Sequence, residues 1–230
     1  MKHIKALMIV LLLQFMTITA MGMKPCNSET ETPFEWQSGD LIFQESATNG
    51  EISRAIKGVT SSIDDYRFTH VGMVYIDEHD SIYVVEATHP RVALTPLNDY
   101  LYPLKKETPK SVVFRLKPEY YHCIPAAIEE GLKLLGKEYD YAYTMNDDKY
   151  YCSELIYEML LRANGGKPVF ILNTMTFKSP DTGEFLPEWV EHYKKLETPI
   201  PEGKPGINPG AMSRSHVVDM IYIVAEPYNK

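Results

Sequence analysis

Three residues with reactive side chains stand far apart in the chain: His70, Glu86 and Cys152. Cys152 falls in KYYCSELIYEML (Lys149 to Leu160), where the apolar stripe of a helix begins. The unpaired N–H groups and dipole of a helix start favour a thiolate. A thiolate beside an imidazole is an activated sulfur nucleophile, and an acid that orients the imidazole completes a triad. The Cys152 backbone N–H would then serve as an oxyanion donor. Taken singly, each residue has a plainer reading. A free cysteine is commonly a small buried hydrophobe. His70 could be a satisfied core histidine, and Glu86 a backbone cap or a rim carboxylate. A metal centre of His70, His89 and Cys152 is a further option, but it needs His89, just past a strand end, to turn inward, and the spacing has little specificity. The reading adopted has no metal and no organic cofactor.

Positioning these residues requires a hairpin and a helix. HVGMVYI (His70 to Ile76) and SIYVVEAT (Ser81 to Thr88) flank the polar turn DEHD and read as two antiparallel strands. A turn centred near His79 puts Ile76 opposite Ile82, Gly72 opposite Glu86 and His70 opposite Thr88. Alternation then places His70, Gly72, Val74, Ile82, Val84 and Glu86 on one face. His70 and Glu86 become diagonal neighbours with Cβ atoms about 7 Å apart, and Gly72 leaves room between them. Glu86 is the one acid in the apolar run YVVEA, where it needs a partner. The helix that starts at Cys152 carries Leu155, Ile156, Met159, Leu160 and Ala163 on its stripe, reaches about Asn164 and stops at Gly165-Gly166.

Other elements complete an α+β pattern. GDLIF (Gly39 to Phe43), RVALTPL, SVVFRL and VVDMIYIVA (Val217 to Ala225) read as strands. Ile52, Ala55, Ile56 and Val59 mark one helix, and Ile124, Ala127, Ile128, Leu132 and Leu135 another, with Gly136 as its stop. Residues 166–213 are rich in Pro, Gly, Thr and Lys and read as a long loop or partly helical excursion. The 230 residues suit a single globular domain over 38–230, and the net charge of −8 argues against a nucleic-acid partner. Residues 1–22, with Lys2, His3 and Lys5 before ALMIVLLLQFMTITAMG, have the layout of a secretory signal, cleaved after Gly22 or Ala20. The apolar run is too short for a convincing membrane span, so no stable span is expected after cleavage. Residues 23–37 read as a flexible lead-in. Lys24-Pro25 before Cys26 speaks against lipidation there, and a Cys26–Cys123 pair is possible but unsupported. The expected location is the periplasm or the extracellular space.

GDLIFQES, THVGMVY, VVEA and YDYAYTMNDDKYYCSEL, in that order, resemble the circularly permuted papain-like cysteine hydrolases of the NlpC superfamily, in the YiiX-like branch. The likeness runs from Gly39 to about Ala163, and histidine before cysteine is the mark of the permutation. It implies an antiparallel sheet packed against a helix that bears the nucleophile Cys152, with His70 as base and Glu86 as the orienting acid. It makes Gln44 and Tyr151 the candidates for substrate or oxyanion binding. Tyr139 and Asp140 fill the YD block and read better as a packed tyrosine and a turn aspartate. Glu154 reads as a favourable helix-terminus charge or a structural acceptor.

The resemblance implies hydrolysis of an amide or related acyl bond in a cell-envelope substrate, lipid-like (N-acyl) or a murein peptide. Transfer of the acyl group to another acceptor is the alternative chemistry. A non-catalytic lipid- or peptide-binding protein on the same fold is the alternative class. The large apolar residues of 166–213, among them Phe170, Phe177, Phe185 and Trp189, tilt the substrate expectation towards the lipid-like side, because loops with such groups must bury them against a core or a ligand.

Overall fold

The computed structural model describes residues 34–48, 50–104, 107–145 and 148–225. The signal-like segment, most of the lead-in and Cys26 lie outside these residues, and with them the cleavage site and any Cys26–Cys123 pair.

Six strands form one antiparallel sheet: β1 (Leu41–Glu45), β2 (His70–Ile76), β3 (Ile82–Ala87), β4 (Val92–Pro96), β5 (Lys110–Leu116) and β8 (Val218–Ile223), in the order β4-β3-β2-β1-β5-β8. The hairpin pairs Met73 with Val85, Val74 with Val84 and Ile76 with Ile82, the expected register. One face of the sheet supports helices α3 (Ile124–Lys133) and α4 (Cys152–Ala163), and most of the core lies between them. Leu155, Ile156, Met159 and Leu160 of α4 are fully buried there. A smaller apolar cluster of Ile42, Val74, Val84, Tyr100 and Leu101 joins the sheet to the short helix α2 (Leu97–Leu101). Helix α1 (Glu51–Val59) follows β1, as its i, i+3, i+4 pattern requires.

Residues 166–213 are far from a bare loop. They contain a two-stranded ribbon, β6 (Asn173–Thr174) with β7 (Pro205–Gly206), and the helices α5 (Pro187–Lys195) and α6 (Pro209–Ser213). Phe170, Phe177, Trp189, Tyr193, Ile207 and Met212 are buried in the main core. Trp189 and Tyr193 sit four residues apart on one face of α5, too few apolar positions to show a period. At the other end, residues 34–37 are fastened to the sheet: the Phe34 ring stacks on Tyr222 at 4.2 Å, and the Gln37 N–H donates to Asp40 Oδ2 at 2.9 Å.

Asp40 and Gly39 explain the GD motif. Gly39 has φ +92°, and a Cβ there would meet Ile124 at 2.7 Å. The fully buried Asp40 carboxylate accepts from Arg115 Nε at 2.6 Å and from its terminal nitrogen at 2.9 Å, tying β1 to β5 through a bidentate pair.

Gly72 has a different purpose from the one its position suggests. A Cβ there would lie 2.4 Å from Val84 Cγ1 and 3.3 Å from Tyr100 Cε2, so the gap admits Val84 and the Tyr100 ring more than it separates His70 from Glu86. Tyr100 in turn donates its hydroxyl to the Ile42 carbonyl at 3.0 Å. Gly72→Ala is expected to destabilise the fold by about 1–3 kcal/mol through overpacking against a stiff β-branched neighbour. Equilibrium urea unfolding of the variant beside the parent protein measures this, and unchanged stability would refute the packing account.

Candidate active site

The sheet places a base and an acid together at its end. His70 is the first residue of β2, and Glu86 is the penultimate residue of β3, two strand positions along on the same face. His70 Nε2 lies 2.6 Å from Glu86 Oε2. The second carboxylate oxygen, Oε1, accepts from the Thr95 hydroxyl at 2.6 Å. Thr95 comes from β4, where Glu86 pairs with Ala93, so Thr95 is the same-face diagonal neighbour. Sequence reasoning missed Thr95; carrying the β3–β4 register two residues beyond Ala93 would have found it.

Helix α4 supplies the thiol. Cys152 is its first residue and is 5% exposed. The Cys152 thiol is a second hydrogen-bond partner of the His70 imidazole. Burial alone would push the His70 pKa down, but hydrogen bonding and charge from Cys152 and Glu86 raise it to about 10. As the first helical residue, Cys152 has a backbone N–H with no intrahelical acceptor. The Leu155 N–H closes the first turn on the Tyr151 carbonyl at 3.0 Å. Glu154 is buried, and its Oε2 accepts from the Tyr151 N–H at 3.4 Å, which makes it a structural acceptor of the first turn.

The two residues flanking Cys152 grip one later residue. The Tyr151 hydroxyl accepts from the Ile207 N–H at 3.2 Å, and the Ser153 hydroxyl donates to the Ile207 carbonyl at 3.1 Å. Both backbone groups of Ile207 are thus tied to the start of α4. Tyr151 also donates towards Met145 Sδ at 3.5 Å, so its hydroxyl is engaged in holding the segment after β7. Burial keeps this phenol protonated. Its ring still lines the cleft beside Cys152.

Gln44 pairs with His70 across β1 and β2. Its Nε2 donates to the Tyr100 carbonyl at 2.9 Å and to the Ser111 hydroxyl at 3.2 Å. With both amide protons engaged, Gln44 has none for an oxyanion. The geometry gives it a bracing role between β1, β5 and α2 in place of the donor role expected for it. Asp140 is a turn aspartate: its oxygens accept from the Ala142 N–H at 2.7 Å and the Thr144 N–H at 2.6 Å. Tyr139 is packed and belongs to the cleft lining. The His89 ring packs on Tyr139 and Tyr141, with centroids 4.2 and 5.1 Å away.

A cleft of about 200 Å³ opens beside Cys152. Ile56 and Val59 of α1 form one wall, and Met175, Phe177, Trp189 and Ile207 of the 166–213 segment form another. Tyr139, Tyr143 and Tyr151 contribute aromatic surface near the thiol.

Residues 35–222 match the family described as permuted papain-like amidase enzyme, YaeF/YiiX, C92 family. Uncharacterized protein YiiX of Escherichia coli (strain K12) is 35% identical over 141 residues, which cover 57% of this chain and 62% of that protein. The matched region therefore spans less than two thirds of that relative. A crystal structure described as metalloprotein yiiX from Escherichia coli O157:H7 aligns with TM-score 0.67 and 25% identity, over 83% of this chain and 99% of that one. Its description raises the question of a metal. Among the described residues no group of three or more His, Cys, Asp or Glu side chains is placed to hold one. Glu86 has both oxygens engaged by His70 and Thr95, and the Nε2 face of His70 is taken. The metal in that description is said of the relative alone. With the match running from before β1 into β8, the chain belongs to the permuted papain-like amidases of the C92 family, a family of cysteine-hydrolase type.

Proposed function

We propose that this protein is an exported cysteine hydrolase that cleaves an amide or related acyl bond of a cell-envelope substrate through an acyl-enzyme on Cys152. The observation that carries the reading is a single imidazole held at 2.6 Å on one nitrogen by a buried carboxylate and hydrogen-bonded as well to the helix-start thiol. Export rests on the basic and apolar N-terminal segment.

His70 takes the Cys152 proton at Nδ1, and the imidazolium is stabilised by Glu86. The thiolate forms a C–S bond to the substrate carbonyl carbon. The resulting oxyanion meets the backbone N–H of Cys152 at the positive end of α4. As the tetrahedral intermediate collapses, the C–N bond breaks and the leaving amine takes the proton from His70. Water then attacks the thioester, with His70 accepting its proton, and releases the acid and the thiol. Glu86 moves no proton; Thr95 keeps its second oxygen satisfied so that the carboxylate stays fixed on Nε2.

The cleft favours a lipid-like or N-acyl substrate over a murein peptide. Its walls carry Ile56, Val59, Met175, Phe177 and Trp189, which suit an acyl chain better than a polar stem peptide. Incubating the purified protein with an envelope lipid extract and with a murein-peptide digest, each against Cys152→Ala, tests this by mass spectrometry. Cysteine-dependent cleavage confined to the stem peptides would reverse the preference.

Cys152→Ala is expected to lower turnover by about 10⁶-fold, the scale of removing a nucleophile. Iodoacetamide should label Cys152 in preference to Cys123, which is buried and whose pKa desolvation raises. His70→Ala should slow the labelling of Cys152, read by peptide mapping; an unchanged rate would separate the imidazole from the thiol.

The raised His70 pKa sets a pH dependence. The folded value, about 10, lies above the ordinary 6.5, so the stability it confers is complete below pH 6.5 and is lost as pH rises through about 10. Activity that needs the imidazolium should fall on the alkaline side near the same value. Glu86→Gln removes a raising influence and should move this limb downwards towards 6.5, with Thr95→Val moving it less. Profiles of kcat/KM against pH for the three proteins measure the limb, and a limb unmoved in Glu86→Gln would deny the carboxylate its orienting role.

A further inference from the structure

The cleft beside Cys152 combines an apolar body with one cation. Among its described lining residues there is no Asp, Glu or Lys, and Arg214 is the only charged side chain. It sits one residue past the end of α6, is exposed, lines the cleft, and donates from Nε to the Gly210 carbonyl at 3.3 Å, so its terminal nitrogens are not used in that bond. A cation at this place stands out in a chain of net charge −8.

A second observation concerns the inner wall. Trp189 is 2% exposed and Asn173 is half-buried; both line the cleft, and Trp189 Nε1 and Asn173 Oδ1 are buried atoms without a hydrogen-bond partner. The Asn173 amide nitrogen is already committed to the Thr174 carbonyl at 3.1 Å and to Met175 Sδ at 3.7 Å, so the oxygen has its own direction. Buried polar atoms without partners are uncommon in folded proteins. The residues that line the cleft thus hold one unmatched donor and one unmatched acceptor.

We propose that the cleft recognises an anionic amphiphile, an acyl chain bearing a single carboxylate or phosphate, with Arg214 as the residue that selects for the anion. The chain would lie along Ile56, Val59, Met175 and Phe177, and the guanidinium would take two anion oxygens in its planar fork. Ser61 and Thr174 add hydroxyl groups to the cleft without adding charge. The assignment rests on the hydrolase reading only for the cleavage step after binding; recognition itself does not need the thiol.

The test uses the full chain with Cys152→Ala, so that binding is measured without turnover. Dodecanoylglycine is compared with its methyl ester, and dodecyl phosphate is run in parallel to tell carboxylate from phosphate. Kd is read by titration calorimetry and by the fluorescence of Trp189, in a Trp36→Phe background. The acid is expected to bind about 10- to 100-fold more tightly than the ester, the range for a hydrogen bond to a charged group. Arg214→Gln should abolish that difference, and Arg214→Lys should retain part of it. Equal affinity for acid and ester, or a preference that survives Arg214→Gln, would overturn the proposal. In the parent protein, release of glycine and dodecanoate in equal amounts is the result expected from breaking the C–N bond by water. Anion-selective binding with no release of glycine would support the recognition proposal and count against the hydrolase reading alone.

Discussion

A carboxylate turned to the interior of a sheet must find partners for both oxygens, and much of this structure depends on how Glu86 does so. Its partners stand on the strands on either side: His70 on β2 and Thr95 on β4. Three adjacent strands must therefore keep their registers together, because a slip of one residue in any of them would turn one side chain to the other face. The apolar pairs Met73–Val85 and Val74–Val84 hold one register, and Val84–Thr95 and Val85–Leu94 hold the next. Gly72 allows Val84 and Tyr100 to close over that face, and the Tyr100 ring lies 5.7 Å from that of His70. The polar trio is embedded in packing that has little freedom to shift, the condition under which a preorganised site is worth most.

The thiol is fixed from the other side by a distant part of the chain. Tyr151 and Ser153 clasp the backbone of Ile207, so the start of α4 and the segment between β7 and α6 are mutually anchored. The same segment contributes Ile207 and Asn208 to the cleft, and Arg214 joins them from just past α6. Nucleophile placement and substrate wall are therefore coupled: a change in the wall reaches Cys152 through two hydrogen bonds. Helix α5 adds to this from behind, since Tyr193 donates to the Ala142 carbonyl at 2.8 Å and Trp189 packs edge-on against Tyr143.

The parts readable from the sequence are those governed by local periodicity or by a costly residue in an apolar run. Glu86 stands out in YVVEA, and the DEHD turn sets the hairpin register, so the His70–Glu86 contact can be placed from the sequence alone. Helix α4 announces itself through its stripe and its Gly165-Gly166 stop. The architecture of 166–213 is not legible, because its order comes from long-range burial of single residues such as Phe177, Trp189 and Ile207, which have no period among themselves. Gln44 misleads for a similar reason: whether an amide is available depends on Tyr100 and Ser111, 56 and 67 residues away. The space beside Gly72 likewise belongs to neighbours other than those expected, since Tyr100 enters it from α2.

The order of the elements along the chain has a consequence for biogenesis. Synthesis from the N-terminus delivers β1 to β5 first, and consecutive antiparallel strands can pair as they emerge. The imidazole and its carboxylate can thus be assembled while residue 152 is still unborn, and the walls that come after it are later still. The order of synthesis puts the base before the thiol and the thiol before those walls of the groove. The clasp on Ile207 can form only after the chain beyond β7 has been delivered. In a molecule with the opposite order, the thiol would be exposed to oxidants and chance electrophiles from the start; here vectorial synthesis itself delays its appearance.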